Sequence, residues 1–259
     1  MELKSWGKEK GLAWAVESWR RTDELYLPAG PKYRGLASRT AVTVALSLTL
    51  INYFGFQPTF DWLGRPRFFP GYADLSYFAF WSGVRFLGYV ILPALSLRFL
   101  TSIPLSEMGL GLKKAFVGWE IYLVLYLALV PVLVAAVFLP EFTTMYPFYK
   151  EAGRSWRHFL LWEFFYGLQF FSLEFFFRGY MIHTLKRVMG AMAVPMMIIP
   201  YCMIHFPKPL PECLGSIVAG LALGTLSLGT GKIWGGVFLH VAVALTMDVL
   251  ALLRRAGFF

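Results

Sequence analysis

The chain carries little charge. Asp, Glu, Lys and Arg make up 15% of its 259 residues, against 58% hydrophobic and 18% aromatic. Soluble domains keep a larger polar share, so the composition excludes an ordinary water-exposed globule and fits a membrane. Cysteine is nearly absent as well. Cys202 and Cys213 flank a short Pro-rich turn where a bridge is sterically feasible, but Cys is commonly core filling, and two small buried thiols are expected. Acidic residues number 15 against 24 basic ones, a formal charge of +9. The basic side chains are scattered over tail and loops rather than gathered in one stripe, which argues against nucleic acid and for anionic lipid headgroups. A short basic start leading straight into an apolar run is also missing. Residues 1–37 form a charged tail instead, so no cleavable signal peptide is expected and the N-terminus should be retained.

What the chain does have is length of apolar sequence. Crossing roughly 30 Å of hydrocarbon takes about 20 helical residues, and seven runs qualify, near 38–56, 75–100, 115–139, 156–185, 189–206, 212–229 and 231–253. The expected fold is an all-α, polytopic transmembrane helical bundle of about seven spans with an N-terminal amphipathic or cytoplasmic arm. Its parts are the arm at 1–37, three spans with connectors at 38–149, and a four-span segment at 150–259. Within the arm, Trp14, Val16 and Trp19 alternate with charged positions, a pattern that fits either an interfacial helix or a solvated tail. The segment "SIPLSEMGLGLKK" at 102–114 reads as an interfacial linker.

Charge sets the expected orientation. One side receives Lys4, Lys8, Lys10, Arg20, Arg21, Lys32, Arg34 and Arg39, with Arg98, Lys113, Lys114, Lys186, Arg187 and Lys232. The other holds Arg65, Arg67, Lys150, Arg154, Arg157, Lys208, Arg254 and Arg255. The positive-inside rule then favours a cytoplasmic N-terminus.

Ionisable groups inside apolar runs are costly and usually functional or paired. Glu163, Glu174 and Arg178 fall on one face of the fourth run, along a stripe with Gly167 and Phe170. They read equally as a self-contained Glu174–Arg178 ion pair and as parts of a site. Ser216, Gly220 and Gly224 recur every fourth residue, the spacing that lets membrane helices approach closely. If the fourth and fifth runs form a hairpin turning near 186–190, Glu174 lies about 20 Å and His205 about 24 Å from the turn. His240 lies about 14 Å past the turn at 229–232 that joins the sixth and seventh runs, so tilted helices bring all three to similar depth. Glu212 falls near the level of His205, and Lys208 and Glu212 read equally as an interfacial pair. One carboxylate and two imidazoles are parts for hydrolysis, with Glu as general base on a water and His as acid or oxyanion donor.

This arrangement resembles the CPBP intramembrane endopeptidases, the CaaX-protease and bacteriocin-processing (Abi) family. Its first motif, Glu-Glu-x-x-x-Arg, is matched by Glu174 and Arg178 in "LEFFFRG"; the second, Phe-x-x-x-His, by Tyr201 and His205; the third, His-x-x-x-Asn, by His240 with Ala244 in the last place. The likeness covers roughly residues 150–253 and implies a glutamic peptidase without metal or cofactor, acting on a membrane-anchored protein or peptide in a bacterial cytoplasmic membrane. Two positions depart from the pattern. Leu173 stands where the family has its leading, catalytic Glu, and the Asn is absent. Either Glu174, Glu163 or Glu212 supplies the carboxylate, or the chain is a catalytically silent relative serving as scaffold or immunity factor. Asp248, two turns past His240, is a candidate supporting acid. A small transporter is the remaining alternative, and the broken helices and repeats it would need are not seen.

Overall fold

The computed structural model describes residues 12–27, 30 and 33–259, and these are helical without a strand. Lys4, Lys8, Lys10 and Lys32 of the orientation count lie outside the described residues. The chain begins with α1 (Leu12–Tyr26), α2 (Leu36–Phe54), α3 (Gln57–Trp62) and α4 (Ala73–Phe86), then a π-helical turn at Leu87–Ile91 and α5 (Leu92–Leu100). After the connector come α6 (Trp119–Ala136), the short α7 (Pro140–Met145) and α8 (Trp156–Glu174). A second π-helical turn, Phe175–Met181, leads into α9 (Ile182–Met189), followed by α10 (Ala193–Met203), α11 (Leu210–Thr230) and α12 (Trp234–Arg255).

Among the described residues, five stretches are long and apolar enough to cross a bilayer: Asp74–Leu100, Trp119–Ala136, Trp156–Met203, Leu210–Thr230 and Trp234–Arg255. The chain is an integral membrane protein with a polytopic helical bundle. The seven apolar runs map onto these five in a simple way. Two of them, the fourth and fifth, fall inside the 48-residue stretch Trp156–Met203. The first coincides with α2, where Arg39, Asn52 and several Thr and Ser residues dilute the apolar content. Helix α6 shows the lipid-facing pattern clearly, since Leu133 is its buried residue while Val124 and Val132 are exposed.

The break in the long stretch falls where the sequence suggests a turn. Gly190 sits at φ 56° and closes α9, a backbone region that L side chains rarely adopt. Helix α10 then runs back along α9 and the second π turn. At the other end, Pro209 and Pro211 start α11, where a missing N–H costs nothing, and Gly231 at φ 67° ends it. Ser155 caps α8: its Oγ accepts the backbone N–H of His158 at 3.4 Å and meets that ring's Nδ1 at 2.9 Å.

The chain divides into two compact units. The first takes the described part of Met1–Leu48, with Tyr89–Gly118 and Leu173–Gly236. Here the small-residue stripe does what its spacing suggests: a Cβ on Gly220 would lie 3.0 Å from Ile198, and one on Gly224 2.9 Å from Val194, so α11 and α10 pack with little between their backbones. Between these helices Cys202 and Cys213 are free, half-buried thiols 3.8 Å apart. The N-terminal arm docks as well. On α1, the Trp14 ring fills the space over Gly229, Trp19 donates to Thr225 Oγ1 at 3.1 Å, and Asp23 accepts the N–H of Ala191 at 2.7 Å. Along its outer face, Arg20 and Arg21 hydrogen-bond Glu17 and hold that carboxyl down at about 2.

The second unit, Thr49–Gly88, Trp119–Ser172 and Val237–Phe259, is built on aromatic packing. Trp162 lies at its centre among Phe78, Phe148 and Tyr166, with ring centroids 4.8, 6.2 and 4.7 Å away. Lys150 pins the preceding loop by donating to the carbonyls of Thr144, Met145 and Pro147 at 2.6 to 2.9 Å, and burial lowers its pKa.

Candidate active site

Glu174 ends α8 and Arg178 sits in the π turn that follows, where the wider i→i+5 winding interrupts the α ladder. Both side chains are buried, at 1% and 0% exposure. Arg178 Nη1 lies 3.2 Å from Glu174 Oε1, so the ion pair suggested by the i,i+4 spacing is present. The guanidinium also lies flat against Tyr201 of α10, 4.0 Å from the ring centroid, a cation–π contact in a dry setting. Phe177 meets the same ring edge-on at 5.1 Å.

Tyr201 links the first motif to the second. One turn along α10, His205 packs edge-on to the Tyr201 ring at 4.8 Å, and its Nδ1 is 2.8 Å from the Tyr201 carbonyl. That bond makes Nδ1 the donor and leaves the lone pair on Nε2, the tautomer a general base or metal-free acceptor needs. Glu174, Arg178, Tyr201 and His205 therefore form one contiguous string in the first unit. Gly236, at the start of α12, completes its wall: a Cβ there would fall on the Glu174 carboxylate. Only a glycine admits the carboxylate at this point.

The other expected residues are placed differently. His240 belongs to the second unit, half-buried, with its ring stacked on Phe170 at 5.4 Å and 11°. Ala244, where the third motif would have Asn, packs in the aromatic core with Trp162 and Tyr166. Glu212 is 3.4 Å from Lys208, so the interfacial pair forms. Glu163 lies within electrostatic range of Asp248 in the second unit, and Asp248 accepts the Trp162 indole N–H at 2.5 Å. Leu173 is buried at 5% exposure. Among the described residues no three His, Cys, Asp or Glu side chains gather closely enough to hold a metal ion.

Two features of the site escaped the sequence reading. The π turn has no simple residue signature, although its place directly after a buried acid is the setting in which such turns recur. The other is His183, buried at 1%, whose Nδ1 meets Lys186 Nζ at 2.8 Å and whose Nε2 meets Ser227 Oγ at 3.4 Å. Ser227 in turn donates to the Arg178 carbonyl at 3.1 Å, so a polar chain reaches the backbone of the π turn. Its clue in the sequence was a histidine three residues before Lys186 on the same helix.

The site thus sets a buried acid in a membrane helix against an Arg one turn on and joins them through an aromatic ring to an imidazole. Residues 154–246 match the family model described as Type II CAAX prenyl endopeptidase Rce1-like. Over this segment the match agrees with the resemblance to the CPBP family drawn from the motifs. No curated protein and no solved structure matches the chain.

Proposed function

We propose that the protein is an intramembrane endopeptidase that cleaves a membrane-anchored protein or peptide by means of a glutamate-activated water. The observation that carries this reading is the Glu174–Arg178–Tyr201–His205 string, which joins two separated family motifs in one buried polar centre. With Leu173 in the place of the leading Glu, Glu174 is the carboxylate offered to water. Glu163 and Glu212 are already engaged by Asp248 and Lys208. Arg178 balances the Glu174 charge and orients it, and Nε2 of His205 accepts or returns the proton; His240 is carried over from the third motif as the family's second imidazole. Water gives its proton to Glu174 as its oxygen bonds the scissile carbonyl carbon, and the tetrahedral oxyanion collapses with C–N cleavage as that proton passes to the leaving amine. The proposed orientation puts the N-terminus in the cytoplasm of a bacterial cell, on a positive bias that sits mostly in the N-terminal tail.

The direct test compares the termini of membrane proteins in cells with and without the gene product. New termini that depend on the protein, and that vanish with His205→Ala or His240→Ala at unchanged yield, are the expected result. Unchanged termini with a well-folded protein would instead establish a catalytically silent relative. Loss of folded protein in both histidine variants would make the imidazoles structural.

A further inference from the structure

At the end of α9, beside the membrane turn at Gly190, three cations gather around one buried histidine. Lys186, Arg187 and Lys232 all lie within electrostatic range of His183. Arg187 is buried and engages Glu107 of the connector and the Tyr33 hydroxyl, the latter at 3.0 Å. Lys186 places its ammonium 5.4 Å from the Tyr26 ring centroid and on His183 Nδ1. Lys232 donates to the Gly111 carbonyl at 2.9 Å, on the same connector. Glu107 is the carboxylate in electrostatic contact with this group, and Asp23, the nearest acid of α1 to the turn, is committed to the Ala191 N–H. Three positive charges thus face one negative charge among the described residues, at a place where Lys186 hydrogen-bonds a neutral ring nitrogen rather than an anion.

We infer that the Lys186, Arg187 and Lys232 cluster, walled by Tyr26, is a binding site for the phosphate of an anionic phospholipid headgroup. The chemistry required is a compact anion with several acceptor oxygens, which would take the two uncompensated charges. A lipid source is favoured by the surroundings. On either side of Tyr26 at the end of α1, Leu25 and Leu27 are 62% and 41% exposed. Exposed apolar side chains beside a cationic cluster suit a headgroup boundary, where the first enter the acyl layer and the second meet phosphate. The end of a membrane hairpin lies at that boundary. This site stands apart from the hydrolytic reading and does not depend on it.

The test uses the full chain in nanodiscs and native mass spectrometry of retained lipid. Nanodiscs would contain phosphatidylcholine alone, or with phosphatidic acid or phosphatidylglycerol. The wild type should retain the anionic lipids over phosphatidylcholine. Lys186→Gln with Lys232→Gln should lower that retention about thirtyfold, at roughly fivefold per lysine. Lys113→Gln with Lys114→Gln removes the same charge from exposed connector positions and should change it by less than about twofold if the site is local. Equal losses in the two double variants would reduce the effect to general surface attraction and overturn the site. Lys232→Gln alone, on an inter-helix loop, guards against misfolding and should give a loss of about fivefold. Inorganic phosphate added at millimolar concentration should compete weakly. Full displacement by it, or retention of a peptide carboxylate with no anionic lipid retained, would overturn the lipid assignment.

Discussion

Glu174 and Asp248 are both fully buried carboxyl groups on membrane-crossing helices, and their surroundings treat them in opposite ways. In the first unit, Glu174 faces Arg178, so an acid meets a base at 3.2 Å. In the second, Asp248 faces Glu163 and the Trp162 indole, an acid against an acid. No cation is in contact with this acid among the described residues, and the indole N–H is the donor that holds it. The difference separates roles. A carboxylate balanced by its own arginine suits the proposed base, whereas an acid pair with an indole donor ties α8 to α12. Burial and residue type alone do not distinguish the two.

Removing one partner from each centre should break the comparison most visibly at Arg178. Arg178→Met leaves Glu174 buried without its counter-charge and should cost about 3–5 kcal/mol, whereas Glu174→Gln with Arg178→Met should recover most of that loss. Thermal unfolding in detergent measures both. In the cleavage assay, Glu174→Gln should lower activity at least about a hundredfold. Restored cleavage in the double variant would move the catalytic base away from Glu174; a stable, inactive double variant would keep it there.

A smaller effect is expected from the wall of the first centre. Gly236→Ala places a methyl on the Glu174 carboxylate, and overpacking of this kind should cost about 1–3 kcal/mol. Cleavage should fall with it, since the carboxylate must move. Wild-type activity and stability in this variant would show that Glu174 has room to rearrange and is not held in place.

The second centre should respond more gently and without a catalytic signature. Asp248→Leu strands the Trp162 N–H and should destabilise by about 1–3 kcal/mol. Asp248→Asn keeps an acceptor for the indole and a partner for Glu163, so unfolding should shift by less than about 1 kcal/mol. A large loss of cleavage in Asp248→Asn at unchanged stability would collapse the distinction between the two centres. Smallest of all, reporters fused after residue 30 and at Phe259 should leave stability untouched. They should report opposite sides of the membrane, the first cytoplasmic; the same side for both would refute an odd number of crossings.

Much of the first unit was readable before the structure because its signals are local. The Glu174–Arg178 pair, the break at Gly190 and the Ser216, Gly220 and Gly224 stripe each follow from spacing on one helix or from a backbone angle that favours glycine. The Glu163–Asp248 contact was not readable, because it joins residues 85 positions apart and no local pattern selects one buried acid as the partner of another. Docking of α1 was left open for the same reason: Trp14 and Trp19 suit a lipid surface as well as they suit Gly229 and Thr225. The seven apolar runs and the five long stretches agree once the fourth and fifth runs, on either side of the break at Gly190, are counted singly and α2, diluted by Ser and Thr, is added.

The π turn at Phe175–Met181 acts as a phase shift in the helix. Wider winding lodges an extra residue in the turn, and one residue is about 100° of rotation. Lys186 and Arg187 therefore point in a direction, relative to Glu174, that an unbroken α-helix of the same sequence would miss by roughly that angle. Deleting a single residue between Arg178 and Ile182 would straighten the winding, keep the Glu-x-x-x-Arg spacing, and swing the basic end of α9 away from the connector that carries Glu107. The chain behaves there like a gear with one added tooth: each half can be sound by itself while their timing depends on the extra residue.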